Sequence, residues 1–243
     1  MPTSTQSIRE IVSTQPSAAA ILQRFDIDLC SQAEMLLGEA CAELQLSIDQ
    51  VLEKLSDAEM DGYGKPLANP DDLPTGRLIQ HIVRVHHQCV RQELPRLAEM
   101  AHKLAGKRGD RAPELENVAA LLEELRAELF AHIQKEELGL FPFISQMDQE
   151  LLVACSPAHV CFRTVAEPIS MMVQEHESAD RIMAEIRRLT LAFEQPPWAC
   201  ATHIALYGGL RAFEIDLKQH VHVENDVLFP RAIEMEAAMN LRG

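Results

Sequence analysis

From Thr75 onward, apolar residues return at steps of three and four over four long stretches, roughly 75–105, 114–147, 157–193 and 199–238. This is the 3.6-residue period of amphipathic helices. The breaks between them read "GKRGDRAP", "MDQELLVACSP" and "EQPP", connections marked by turn-forming residues. Long helices with short connections predict an antiparallel four-helix bundle. Pro95 falls inside the first stretch and predicts a kink or local break there. Ahead of the bundle, short helical patterns cover Ile8–Val12, Ala18–Phe25, Met35–Leu44 and Ile48–Leu55, with Ser47 placed as an N-cap. Between the two regions, "DAEMDGYGKPLANPDDLP" has no periodicity and reads as a linker. The expected fold is all-α: a small helical domain over residues 1–56, a linker over 57–74 and the bundle over 75–243.

The apolar stripes are interrupted by polar residues at matching places. The second long helix runs Val118, Leu122, Leu125, Leu129, His132, Glu136, Leu140. The fourth runs Leu206, Leu210, Phe213, Leu217, His220, Glu224, Leu228, each position offset by 88. The text around them, "HIQKEELGLFP" and "HVHVENDVLFP", shares H-x3-E-x3-L-F-P. An i, i+4 spacing puts histidine and glutamate on one face, one turn apart. Here that face is the core stripe. The third helix adds Ile169, Met172, His176, Ala179, Met183 and Ile186, and shifting this pattern back by 89 lands on Gln80, Val83, His87, Val90, Leu94 and Leu97. His87 therefore matches His176. The neighbouring His86 falls on a less regular stripe of Ile79, Ile82, Cys89 and Glu93 and stays open as the alternative. The chain is an internal duplication of a two-helix unit.

Isolated buried carboxylates are costly unless protonated, paired or bound to metal. Four imidazoles and two carboxylates at one level of a bundle suit two transition-metal ions, each taking two histidines, with the glutamates placed to bridge. A mixed histidine and carboxylate set favours iron, with manganese or zinc as lesser fits. No cysteine lies near the stripe, which argues against a structural zinc knot. Glu175, Glu177 and Asp180 surround His176 as candidate acceptors for its second ring nitrogen. Glu128 and Asp216 each stand four residues before a candidate ligand histidine. Glu137 and His222 lie off the stripe and read as solvated, and the shared Leu-Phe-Pro reads as packing with a helix end or bend at the proline.

The formal charge of −15 disfavours nucleic acid and anionic membranes as partners. No apolar run reaches the length of a membrane span, and the N-terminus has no signal-peptide pattern. The six cysteines form no CxxC pair and read as reduced thiols in a cytoplasm. The pattern leaves a homodimer open.

The segments "HIVRVHHQCVRQELPRL", "HIQKEELGLFP", "QEHESAD" and "HVHVENDVLFP" resemble a hemerythrin-type (HHE) cation-binding domain. Over nearly its full length the chain resembles the repair-of-iron-centres family of di-iron proteins, and "IREIVSTQPSAAAILQRFDIDLC" resembles that family's short ScdA-type N-terminal domain. The resemblance implies a hemerythrin-like bundle with two non-haem irons joined by an oxo-type bridge. Their ligands would be His87, His132, Glu136, His176, His220 and Glu224. It implies repair of iron–sulfur clusters damaged by oxidative or nitrosative stress, through iron donation or nitric oxide chemistry, in a bacterial cytoplasm. The implied partners are damaged iron–sulfur proteins and small ligands such as nitric oxide or oxygen. A hemerythrin-like protein that binds or senses oxygen or nitric oxide without repairing clusters is the alternative. The chain departs from the family where an aromatic, two adjacent cysteines and two glycines usually follow an aspartate: here Asp28 is followed by Leu29, Cys30, Ser31, Gln32 and Ala33. A role needing a vicinal dithiol has no second thiol, and Cys30 alone remains to ligate, be oxidised or simply pack.

Overall fold

The computed structural model describes residues 1–15, 17–29, 31–60, 67, 69–108, 110–152 and 164–241. Cys30, Cys155, His159, Cys161 and much of the expected linker lie outside the described residues. Four short helices open the chain: α1 (Ile8–Thr14), α2 (Ala18–Arg24), α3 (Leu37–Glu43) and α4 (Ile48–Met60). Helix α1 starts at an S-x-x-E capping box: the Glu10 amide donates to Ser7 Oγ at 3.2 Å and the Ser7 amide donates to Glu10 Oε2 at 2.9 Å. Helix α4 runs four residues beyond the boundary expected at 56, so the segment expected as a linker opens on the end of this helix. Among the described residues there is no strand, only a single bridge between Ser7 and Leu36.

The bundle consists of four rods. Three are broken in register by one wide π turn each: α5 (Thr75–His81) and α6 (Gln88–Arg108) flank Ile82–His87; α7 (Glu114–Lys135) and α8 (Phe141–Leu152) flank Glu136–Leu140; α10 (Ala201–His222) and α11 (Phe229–Asn240) flank Val223–Leu228. Only α9 (Ala166–Leu189) is regular throughout. Helix α6 lies against α7 and α10, and α7 against α9. Helix α6 continues through Pro95, so the expected break is not there. One lost hydrogen bond is tolerated in a 21-residue helix whose Leu94 and Leu97 are fully buried. Nor does a helix end at Pro142 or Pro230: both stand second in the helix that follows the π turn. A proline ring clashes with the carbonyl four residues back. Those carbonyls, of Leu138 and Asp226, belong to the π turns, whose wider winding takes up the misfit.

Two apolar clusters fill the interior. One holds Leu94, Leu97, Leu122, Leu125, Leu206, Leu210 and Phe213 together with Ile8, Ile11, Leu22 and Leu37, so the core of the first helices is continuous with the bundle's. The other holds Leu78, Ile144, Met147, Ile169, Met172, Leu228 and Phe229 at the opposite end. A layer of buried polar side chains separates them. Gly209 allows α10 to approach α6 closely, since a Cβ there would stand 2.6 Å from Leu97 Cδ2.

Outside that layer, His203 is buried beside Trp198 and Tyr207, and neither ring nitrogen has a hydrogen-bond partner among the described residues. Burial lowers its pKa from 6.5 to about 4. Between those values the unfolded chain binds a proton that the folded chain refuses, so stability falls as pH drops from about 6.5 toward 4. Urea unfolding at pH 7 and pH 5 checks this: between the two, wild type should lose about 2 kcal/mol more than His203→Phe. Equal losses would show that His203 does not titrate as argued.

Candidate metal centre

The polar layer is built by the residues that the duplication singles out. His87 closes the first π turn, His132 and Glu136 straddle the start of the second, and His220 and Glu224 straddle the start of the third; His176 projects from α9. All six are at most 2% exposed. Among the described residues they form two overlapping groups: His87, Glu136, His220 and Glu224; and His132, Glu136, His176 and Glu224. In each group the ligand-type atoms lie within 4.8 Å of one another. Both glutamates belong to both groups. Each group draws one histidine from each half of the duplication.

The imidazoles all turn Nε2 inward. His87 Nε2 stands 3.2 Å from Glu136 Oε2, His132 Nε2 3.4 Å from the same oxygen, His176 Nε2 3.1 Å from Glu224 Oε2, and His220 Nε2 2.9 Å from Glu224 Oε1. His132 and His176 bring their Nε2 atoms to 3.0 Å. Two facing nitrogen lone pairs repel unless a proton or a cation lies between them. Among the described residues, His87 Nε2, both oxygens of Glu136 and Glu224 Oε2 are buried without an aligned hydrogen bond. Donor atoms that converge, dry and unsatisfied, fit a metal cluster. The set offers imidazole nitrogen and carboxylate oxygen without thiolate, a chemistry suited to iron.

The charges inside the layer are strongly coupled. Burial and the negative charge of Glu224 push Glu136 up. Glu224 is held well below the usual carboxylate range, against burial, by His220, His176 and His87. Burial would lower His87, but the close carboxylates of Glu136 and Glu224 outweigh it and raise its pKa to about 10. His132, by contrast, is lowered to about 4 by burial and by the neighbouring His176 and His220. Protons and a cation compete for the same nitrogens and oxygens. The cation must displace the protons, so binding weakens as pH falls.

Three of the four histidines donate Nδ1–H outward. His87 donates to Glu137 Oε1 at 2.7 Å, His132 to Glu175 Oε2 at 2.9 Å and His176 to Asn225 Oδ1 at 3.0 Å. Arg91 at 2.8 Å holds Glu137, and Lys135 holds Glu175. Such acceptors fix the tautomer and orientation of metal-binding imidazoles. Several expectations change here. Glu137 is not merely solvated; it steadies His87. Glu175 serves His132 and not its neighbour His176. Asp180 is exposed. Asp216 pairs with His86 at 3.0 Å and not with His220, whereas its counterpart Glu128 has no hydrogen bond among the described residues. Of the two adjacent histidines, His87 enters the cluster and His86 stacks behind it on His220. His222 is at the surface, 2.6 Å from Asp226.

The Leu-Phe-Pro repeat also belongs to the centre. Phe141 lies parallel to His87, with centroids 5.6 Å apart and planes at 11°. Phe229 lies parallel to His176 at 6.2 Å and 4°. The signal was available in the sequence, since Phe141 and Phe229 share the 88-residue offset of the ligand-type residues. Glu137 and Asn225 share it too.

Comparison with known proteins places this geometry in context. Residues 78–232 match the family described as the hemerythrin HHE cation binding domain, and residues 4–59 match the ScdA_N family, a domain of unknown function. A probable iron-sulfur cluster repair protein of Haemophilus influenzae is 31% identical over 228 residues, spanning 94% of this chain and 96% of its own. The iron-sulfur cluster repair protein YtfE of Musicola paradisiaca is 33% identical, with 96% and 98% covered. That of Escherichia coli is 32% identical, with 95% and 98% covered. Among the described residues no helix is long and apolar enough to cross a membrane.

Proposed function

Since this chain belongs to the hemerythrin HHE cation-binding family and, along nearly its whole length, to the family of the iron–sulfur cluster repair proteins, we propose that it is a non-haem di-iron protein that restores damaged iron–sulfur clusters. One iron would be held by His87 and His220 and the other by His132 and His176, with Glu136 and Glu224 as donors open to both and an oxo-type bridge expected of this family. The observation that carries this reading is that both fully buried glutamates belong to both histidine groups. A carboxylate offering one oxygen to each of two cations offsets its own desolvation. The protein works in the cytoplasm on iron–sulfur proteins damaged by nitric oxide or oxidants, and small ligands of that kind reach the centre. Residues 1–56 form the ScdA-type domain, 57–74 the connection and 75–243 the di-iron bundle.

The side chains prepare the centre in three ways. Four Nε2 atoms and two carboxylates supply donors at one level of the bundle. Glu137, Glu175 and Asn225 hold three of the rings by their outer nitrogens. Phe141 and Phe229, with the two apolar clusters above and below, keep water from the histidine faces. When bound, the iron pair supplies one-electron chemistry, coordination of small ligands and iron that can be handed on as cargo.

The test is recovery of an iron–sulfur enzyme whose cluster has been damaged by nitric oxide. Iron-loaded protein should speed the return of its activity over that seen with an equal amount of free ferrous iron. If protein carrying two irons gives no acceleration, the repair role is wrong while the metal centre stands. Tight, reversible nitric oxide or oxygen binding in that case would identify a ligand-binding hemerythrin relative instead.

A further inference from the structure

The four histidines of the centre are not held alike. Three have an acceptor for Nδ1, but Nδ1 of His220 is buried with no hydrogen-bond partner among the described residues. His86 lies flat behind that ring instead, with centroids 5.4 Å apart and planes at 1°. His86 in turn donates from Nδ1 to Asp216 Oδ1 at 3.0 Å, and both side chains are 2% exposed.

The duplication shows what has been exchanged. In one half, the acceptor for His132 is Glu175, the residue before His176, and Lys135 steadies it. The equivalent residue before His87 is His86, and the equivalent of Lys135 is Val223, which is buried. The polar pair that supports His132 therefore has no counterpart behind His220. The compensating change is at Asp216. Its counterpart Glu128 is half-buried, whereas Asp216 turns fully inward onto His86.

We propose that Asp216 and His86 are a positioning pair for His220: Asp216 fixes the His86 ring, and the flat face of His86 sets the plane of the His220 imidazole where the other three use a hydrogen bond. This rests on the two-metal reading above. It makes the ion at His87 and His220 dependent on His86, and leaves the ion at His132 and His176 independent of it.

The test uses full-length protein loaded with ferrous iron and challenged with a ferrous chelator. Iron loss, the optical spectrum and helix content are followed for wild type, His86→Ala, His86→Phe and Asp216→Asn. The alanine variant should release one of its two ions about 10–100 times faster than wild type, with the other at the wild-type rate and an altered spectrum. His86→Phe keeps a flat ring and should recover most of the loss; Asp216→Asn should fall between wild type and alanine. Wild-type release kinetics and spectrum in His86→Ala would overturn the proposal. So would equal acceleration for both ions, which would mean that His86 only fills space, or a phenylalanine variant no better than alanine, which would mean that the flat ring is not what holds His220. Wild-type protein that never holds two irons would sink the two-metal reading itself, a result the variants cannot mimic.

Discussion

Glu136→Ala and Glu224→Ala should each empty both metal positions rather than one. Each carboxylate belongs to both histidine groups, so its removal takes a donor from each ion and the negative charge that offsets them both. A single histidine change such as His176→Ala removes a donor from one group only and should leave about one iron per chain. Elemental analysis would show it: near two irons in wild type, well under one in either glutamate variant. The glutamate variants should keep their helix content. A fully buried carboxylate costs several kcal/mol of desolvation, and removing it in the metal-free state removes that cost. A glutamate variant that retains one tightly held iron would show that the carboxylates do not bridge.

The second large effect is on stability. Metal bound only by the folded chain adds about 4 kcal/mol per site when its free concentration is 1,000 times its Kd. In a chain of this size each kcal/mol moves Tm by about 2–4 °C. Stripping iron from wild type should therefore lower Tm by about 10 °C or more, because the buried acids and imidazoles are left to share protons. The same chelator should leave the Tm of Glu136→Ala almost unchanged, as that variant has nothing to lose. If wild type and its stripped form melt together, the centre contributes nothing to the folded state and the role given to the ions is wrong.

How much of this could be read from residues alone follows from what a periodic pattern records. The four rods were legible because each buries one apolar stripe. The six-residue cluster was legible because the same polar interruption occurs twice. The three π turns were not legible as such, although two left a trace: the stripe steps 4, 3, 4, 3 and then 4, 4 at His132, Glu136, Leu140 and again at His220, Glu224, Leu228. Two successive steps of four outrun a 3.6-residue helix, and the backbone widens to keep the residues inward. The end or bend expected at Pro142 and Pro230 has the same origin, since a wide turn that tolerates proline is not in the ordinary helical repertoire. The partners of the histidines were hardest to assign. Glu137 and Glu175 lie beside the stripe, where a surface charge and an inward-bonding charge look alike until the neighbouring rod is placed. Asp216 could not be assigned either, because its partner His86 comes from a rod 130 positions earlier in the chain.

The most direct measurement of the central claim is anomalous diffraction at the iron edge from crystals of iron-replete protein. Two peaks roughly 3.5–4 Å apart, with an oxygen of Glu136 and of Glu224 against each, are expected. A single peak, peaks away from the two glutamates, or no peak with both carboxylates still buried would contradict it.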